Sequence, residues 1–156
     1  MAAHLRTQLR QALADLLVNQ VSVDGDTVTV FKKRAHAVAK SALPVLFITC
    51  NGDDATSDTK RKPFINDTTV EIEIELCLAD DSDENDSQVD DLIDDACLQI
   101  QHLVANANFT GLAGAKWTKY RGTDVEPDEQ NQGVMRADLR FTTYFIAADN
   151  AVDVAL

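Results

Sequence analysis

The chain has 156 residues, 45% of them hydrophobic, and a formal net charge of −12 at pH 7. That length suits one domain with a proper core, and no apolar run approaches the roughly 20 residues of a membrane-spanning helix. The charge repels nucleic acid and anionic membranes, which argues against tight DNA binding but not against DNA passing nearby.

In chain order, residues 3–19, "AHLRTQLRQALADLLVN", place Leu5, Leu9, Ala12, Leu13, Leu16 and Leu17 on one stripe at helical spacing. His4, Arg6, Arg10 and Asp15 interrupt the apolar residues, so the segment reads as an amphipathic helix and not as a signal peptide. Asn19 and "DGD" at 24–26 end it. "TVTVF" (27–31) is a short strand, and "KKRAHAVAKSA" is a basic connector with one helical turn. "LPVLFITCN" (43–51) reads as a buried strand, because Pro44 at its start tolerates a missing donor. A polar loop over 52–67 then leads to "TTVEIEIELCLA" (68–79), where Val70, Ile72, Ile74, Leu76 and Leu78 alternate with Glu71, Glu73, Glu75 and Cys77. Side chains alternate faces on a strand, so one face is apolar and the other bears a row of carboxylates.

Residues 80–108 form the second helix, with Val89, Leu92, Ile93, Ala96, Cys97, Ile100, Leu103, Val104 and Ala107 on its stripe and Asp and Ser residues capping its start. After "TGLAG", strands over 113–125 and 133–147 form a hairpin around the turn "EPDEQNQG". The expected fold is α+β: a single mostly antiparallel sheet of about five strands with both amphipathic helices on one face. Residues 1–148 form the domain and 149–156 a C-terminal extension.

Motifs for chemistry are absent. Cys50, Cys77 and Cys97 show no CxxC spacing and read as free thiols in a reducing compartment, with Cys97 buried on the helix stripe. His4, His36 and His102 are scattered. The acids from Asp80 to Asp95 lack the glycine and terminal glutamate of an EF-hand, so helix capping and a solvated face account for them. No nucleophile elbow or phosphate loop is present, and no enzyme, metal or cofactor is expected.

The charge distribution is more informative. Between Lys62 and Lys116 there is no Lys or Arg, while that span holds 13 of the 26 acids. "KRKP" places Lys60, Arg61 and Lys62 together, either as a solvated loop tip or as a complement to an acidic neighbour such as another copy's Asp80, Asp81 and Asp83. "KWTKYRG" interleaves Trp117 and Tyr120 with Lys116, Lys119 and Arg121. The global charge and the acidic turn that follows favour a protein interface through Trp117 and Arg121, or an ordinary strand face, over a nucleic-acid platform. On the last strand Arg136 and Arg140 can stand across from Glu71, Glu73 or Glu75, at roughly 0.2–1 kcal/mol per pair.

The order of elements — Leu-rich helix, Pro-led strand "LPVLFIT", long strand "VEIEIELCLA", acid-capped helix "DSQVDDLIDDACLQI", aromatic-basic strand "WTKYRGTD" and closing strand "ADLRFTTYFI" — resembles the tail terminator proteins of lambda-like long-tailed bacteriophages. The resemblance covers most of the chain and departs in a longer hairpin turn (126–133) and the extension "AADNAVDVAL". It implies a non-enzymatic virion protein, assembled in the host cytoplasm, that forms a ring of about six copies at the head-proximal end of the tail. Such a ring caps the tail tube, stops its polymerisation, meets the head-completion protein and lets DNA through its centre without binding it specifically. On that reading Glu71, Glu73 and Glu75 face or border the lumen, or are instead consumed by Arg136, Arg140 and the "KRK" loop within the ring. Lys60, Arg61 and Lys62 meet the acidic segment from Asp80 to Asp91 between subunits. Another head–tail connector or tail-tube ring, or an acidic DNA-mimicking cytoplasmic inhibitor, are the alternatives.

Overall fold

The computed structural model describes residues 4–32, 38–58, 65–81, 88–107, 109, 112 and 115–148, with 52–58, 65–67 and 147–148 described by backbone alone. Lys60, Arg61, Lys62, Asp83, His36 and the 149–156 extension lie outside these residues.

Helix α1 spans Leu5–Leu17 and starts at His4, whose side chain accepts a hydrogen bond from the Arg6 N–H. Leu5, Leu9, Leu13 and Leu17 recur every fourth residue and are fully buried, so this one stripe fixes the helix against the sheet. Asn19, at φ 59°, turns the chain out of the helix. The expected strand 27–31 divides in two. Ser22–Val23 (β1) pairs with Asp26–Thr27 (β2) around Asp24 and Gly25, both at positive φ, as a tight two-residue hairpin requires. The Gln99 side chain bonds both the N–H and the C=O of Ser22, tying this hairpin to the second helix. Val28 is buried, and Thr29–Phe31 (β3) then joins the main sheet.

β4 (Val45–Asp58) and β5 (Ile65–Ala79) form a long antiparallel hairpin. Here the expectation of a loop over 52–67 is wrong for the described part of it: 52–58 belong to β4 and 65–67 to β5. The segment's Gly, Asp and Ser content signals a turn, but backbone pairing across the hairpin holds it extended past a bulge between Asn51 and Asp53. β5 is 15 residues long, about 50 Å at strand rise. Helix α2 (Gln88–Ala105) crosses to β6 (Ala115–Pro127), and β7 (Val134–Ala148) returns between β6 and β5. The sheet order is β3-β4-β5-β7-β6, antiparallel throughout except for β3 with β4.

The expected class is therefore met: α+β, with a five-stranded, mostly antiparallel sheet and both helices on one face. The apolar members of β5, Val70 to Leu78, lie in one core with α1, with Ile93, Ala96, Cys97, Ile100 and Val104 of α2, and with Leu139, Phe141 and Phe145 of β7. Among the described residues the opposite face carries no α-helix, and its buried apolar cluster lies at one end, where Val38 and Leu43 pack on Val45, Phe47, Cys77 and Val134. The β6–β7 turn is organised by Asp128, 5% exposed, whose carboxylate accepts from the Gln130 N–H (3.1 Å) and the Asn131 amide (2.8 Å).

Candidate functional site: the charged helix-free face

Strand register sets this face out in rows. Cys77 stands across from Arg136 and Glu126; Glu75 from Phe47, Asp138 and Asp124; Glu73 from Thr49 and Arg140; Glu71 from Asn51, Thr142 and Lys119. The next row holds Tyr144 and Trp117, stacked with ring centroids 5.3 Å apart and planes 9° from parallel. The expected carboxylate row is thus present on β5, beside the strand that bears Arg136 and Arg140.

The arginines are not directed where the sequence suggested. Arg140 pairs with Asp124 at 3.1 Å, although Glu73 is its register partner. Arg136 pairs with Glu126 and approaches Asp138 through Nε at 3.1 Å. Both are engaged by acids of β6 and β7. Sequence reading missed Asp124 and Glu126 because their "TDVEP" context reads as a turn approach; the signal was their alternation in a hairpin strand. Of the β5 row, Glu71 is exposed, while Glu73 and Glu75 are half-buried, and Asn51 reaches Glu73 at 3.5 Å. By register the face carries Glu71, Glu73, Glu75, Asp124, Glu126 and Asp138 against Lys119, Arg136 and Arg140, joined by Arg121 through its bond to Thr142. It is acidic, but by less than the β5 row alone implies.

Asp138 is the strongly perturbed carboxylate of this face. Its side chain is 14% exposed and its Oδ1 is buried without a hydrogen bond. Burial raises its pKa to about 6; Arg136 pulls it down, and Glu75, Glu73 and Glu126 push it further up. Carboxylate oxygens of Glu73, Glu75 and Asp138 lie within 4.8 Å of one another. Arg136, held above its ordinary pKa by Asp138, Glu126 and Glu75 against the opposing effect of burial, supplies the compensating cation. A shallow depression of about 180 Å³ adjoins them, lined by Asn51, Glu71, Glu73, Arg121, Arg140 and Thr142 among others. It joins charged groups of both signs and contains no nucleophile–base pair.

The expected interface residues fall into separate places. Trp117 (48% exposed) and Arg121 lie on the edge strand β6, where Arg121 occupies a bulge and donates from Nε to the Thr142 hydroxyl at 3.1 Å. Asp80 and Asp81 follow β5; the Asp80 N–H donates to the Gly133 carbonyl, and Asp81 forms an ion pair with Lys40 of its own chain. Cys50, Cys77 and Cys97 form no disulfide, as expected, and Cys97 is buried as its place on the helix stripe implies; Cys50 and Cys77 are buried as well, and burial raises the pKa of Cys50 and of Cys97 to about 11.

No family model matches the chain, and no curated protein matches it. Among solved structures, 34 chains match. One belongs to the virion of a native gene transfer agent particle, with a TM-score of 0.53 and 12% identity, over 92% of this chain and 96% of that one. At this identity the likeness is one of fold, and the fold is shared nearly end to end with a chain of a virion.

Proposed function

We propose that the chain is a structural virion protein: a tail terminator that assembles into a ring of about six copies, caps the tail tube, stops its growth and joins the tail to the head-completion protein. The observation that carries this reading is the near-complete match in fold to a virion chain. The resemblance of the element order to the tail terminators narrows it. The helices occupy one face of the sheet, which leaves the charged face to line a bore. Glu71, Glu73 and Glu75 border that bore, where net negative charge keeps the DNA backbone from adhering. Lys60, Arg61 and Lys62 meet the acidic segment at Asp80, Asp81 and Asp83 of a neighbouring copy, with Lys40 as the local competitor for Asp81. The role is one of assembly, without catalysis.

The test is electron microscopy of the purified protein alone and mixed with growing tail tubes. Rings alone and arrested tubes capped at one end are the expected outcome. Long polymers formed by the protein on its own identify a tube subunit instead, and a monomer that ignores tubes at every concentration refutes the proposal.

A further inference from the structure

The sheet has two open edges, and they are unlike. β6 is the outer strand on one side and, among the described residues, pairs only with β7. On the other side β3 covers β4 at Val45, Leu46 and Phe47, and from Ile48 to Asp58 β4 borders no further strand among the described residues. Open edges present rows of N–H and C=O groups that pair readily with another strand. Both are long, and β6 also exposes Trp117 and Val125.

We propose that β6 of one copy pairs antiparallel with the 48–58 segment of β4 in the next, so that one sheet continues from subunit to subunit. Strand direction favours this joint. β4, β5, β7 and β6 alternate, and with an even number of strands the two edges run in opposite directions. Copies related by rotation about an axis along the strands therefore bring β6 beside a β4 of opposite sense. Charge favours it too. Lys119 is level with Asn51, and Trp117 with Asp54, through the shared rows of β5 and β7. The half of β6 bearing Lys116, Lys119 and Arg121 thus lies level with a β4 segment whose sequence holds Asp53, Asp54 and Asp58 and no base. The other half, with Asp124 and Glu126, lies level with the β4 residues that β3 already covers.

Bulges and cations on an edge deter pairing with its own kind. β6 carries both, with register shifts at Ala115/Trp117 and Tyr120/Gly122. A joint between unlike edges satisfies both edges at once and is the heterologous contact a cyclic assembly uses. The number of copies rests on the ring reading above; the joint itself does not. At about 4.8 Å between strands, four strands from each of about six copies close at about 37 Å between opposite backbones, before strand tilt widens the bore.

Sedimentation velocity on the full chain tests the joint, with circular dichroism as the check on folding. Lys119→Glu with Arg121→Glu makes both edges acidic; Asp53→Lys with Asp54→Lys makes both basic. Each double variant alone is expected to raise the half-assembly concentration about tenfold or more. An equimolar mixture of the two is expected to regain assembly at one-to-one composition, because each edge then meets its opposite in alternation. Should the first double variant misfold, exposed Lys119→Glu alone takes its place. Native-like assembly of both variants, or no recovery in the mixture, overturns the joint while leaving the ring reading standing. Sensitivity to the β6 changes alone overturns it in favour of a two-fold β6–β6 contact. A native chain that never assembles defeats both.

Discussion

Replacing Asp138 with Asn isolates the electrostatic tension of the Glu73, Glu75 and Asp138 cluster. Asp138 has a folded pKa of about 6 against an ordinary 3.8, so the folded state holds its proton more tightly than the unfolded chain does. A raised carboxyl pKa contributes stability that is present below about pH 3.8 and lost as pH rises through about 6. The full shift of about 2 pH units corresponds to about 3 kcal/mol at 1.36 kcal/mol per unit, an upper bound in a partly solvated site. Between pH 7.5 and pH 5 the same linkage amounts to about 1 kcal/mol. The Arg136 ion pair opposes this, but burial together with Glu75, Glu73 and Glu126 outweighs it. Asp138→Asn removes the charge at nearly constant volume and keeps an oxygen near Arg136 Nε. It is expected to raise unfolding stability at pH 7.5 by about 1 kcal/mol and to flatten the pH 5–7.5 dependence. Urea unfolding followed by circular dichroism at the two pH values, at a protein concentration giving one oligomeric state, measures both. A variant less stable than the native chain at pH 7.5, with the same pH slope, means that the Arg136 pairing dominates and the sign argued for this cluster is wrong.

Gly122 sits in the β6 bulge at φ 145°, and a Cβ there meets Arg140 Nη2 at 3.4 Å. Gly122→Ala should destabilise by about 1–3 kcal/mol, read as a drop in the urea midpoint. Ile74→Ala empties a fully buried position under the helices and should cost about 2–5 kcal/mol by the same measurement. Asp128→Ala removes the carboxylate's bonds to Gln130 and Asn131 in the β6–β7 turn and should cost about 1–3 kcal/mol; an unchanged midpoint means the turn holds without them. Cys50 and Cys97 should react with a disulfide reagent at pH 8 far more slowly in native protein than in urea, and equal rates in the two conditions contradict their burial.

Much of the fold is legible in residue spacing. Leu5 to Leu17 and Ile93 to Val104 recur at helical period, and Val70 to Leu78 alternate at strand period; each places its apolar set in the core. The distal part of the β4–β5 hairpin, 52–58 and 65–67, is not legible, because a polar stretch carries no period-two hydropathy and is extended only by its pairing. The candidate site is half legible for a related reason. Alternation puts Glu71, Glu73 and Glu75 on one face, but which cation meets which carboxylate depends on register and on the Tyr120/Gly122 bulge, both set by tertiary pairing. Hence Arg140 turns to Asp124 and not to Glu73.

The placement of β7 has a consequence for timing. It follows every other described strand in the chain, yet it lies inside the sheet, between β5 and β6. Until it is synthesised, β5 is paired with β4 on one side but open along the other, and β6 lacks its partner in the sheet. Long-range pairing of this kind is slow to form and leaves sticky strands uncovered in the meantime. A nascent chain stalled short of residue 134 therefore offers the ribosome's surroundings a half-built, aggregation-prone hairpin, and a chaperone holding it until release would raise the yield of folded protein.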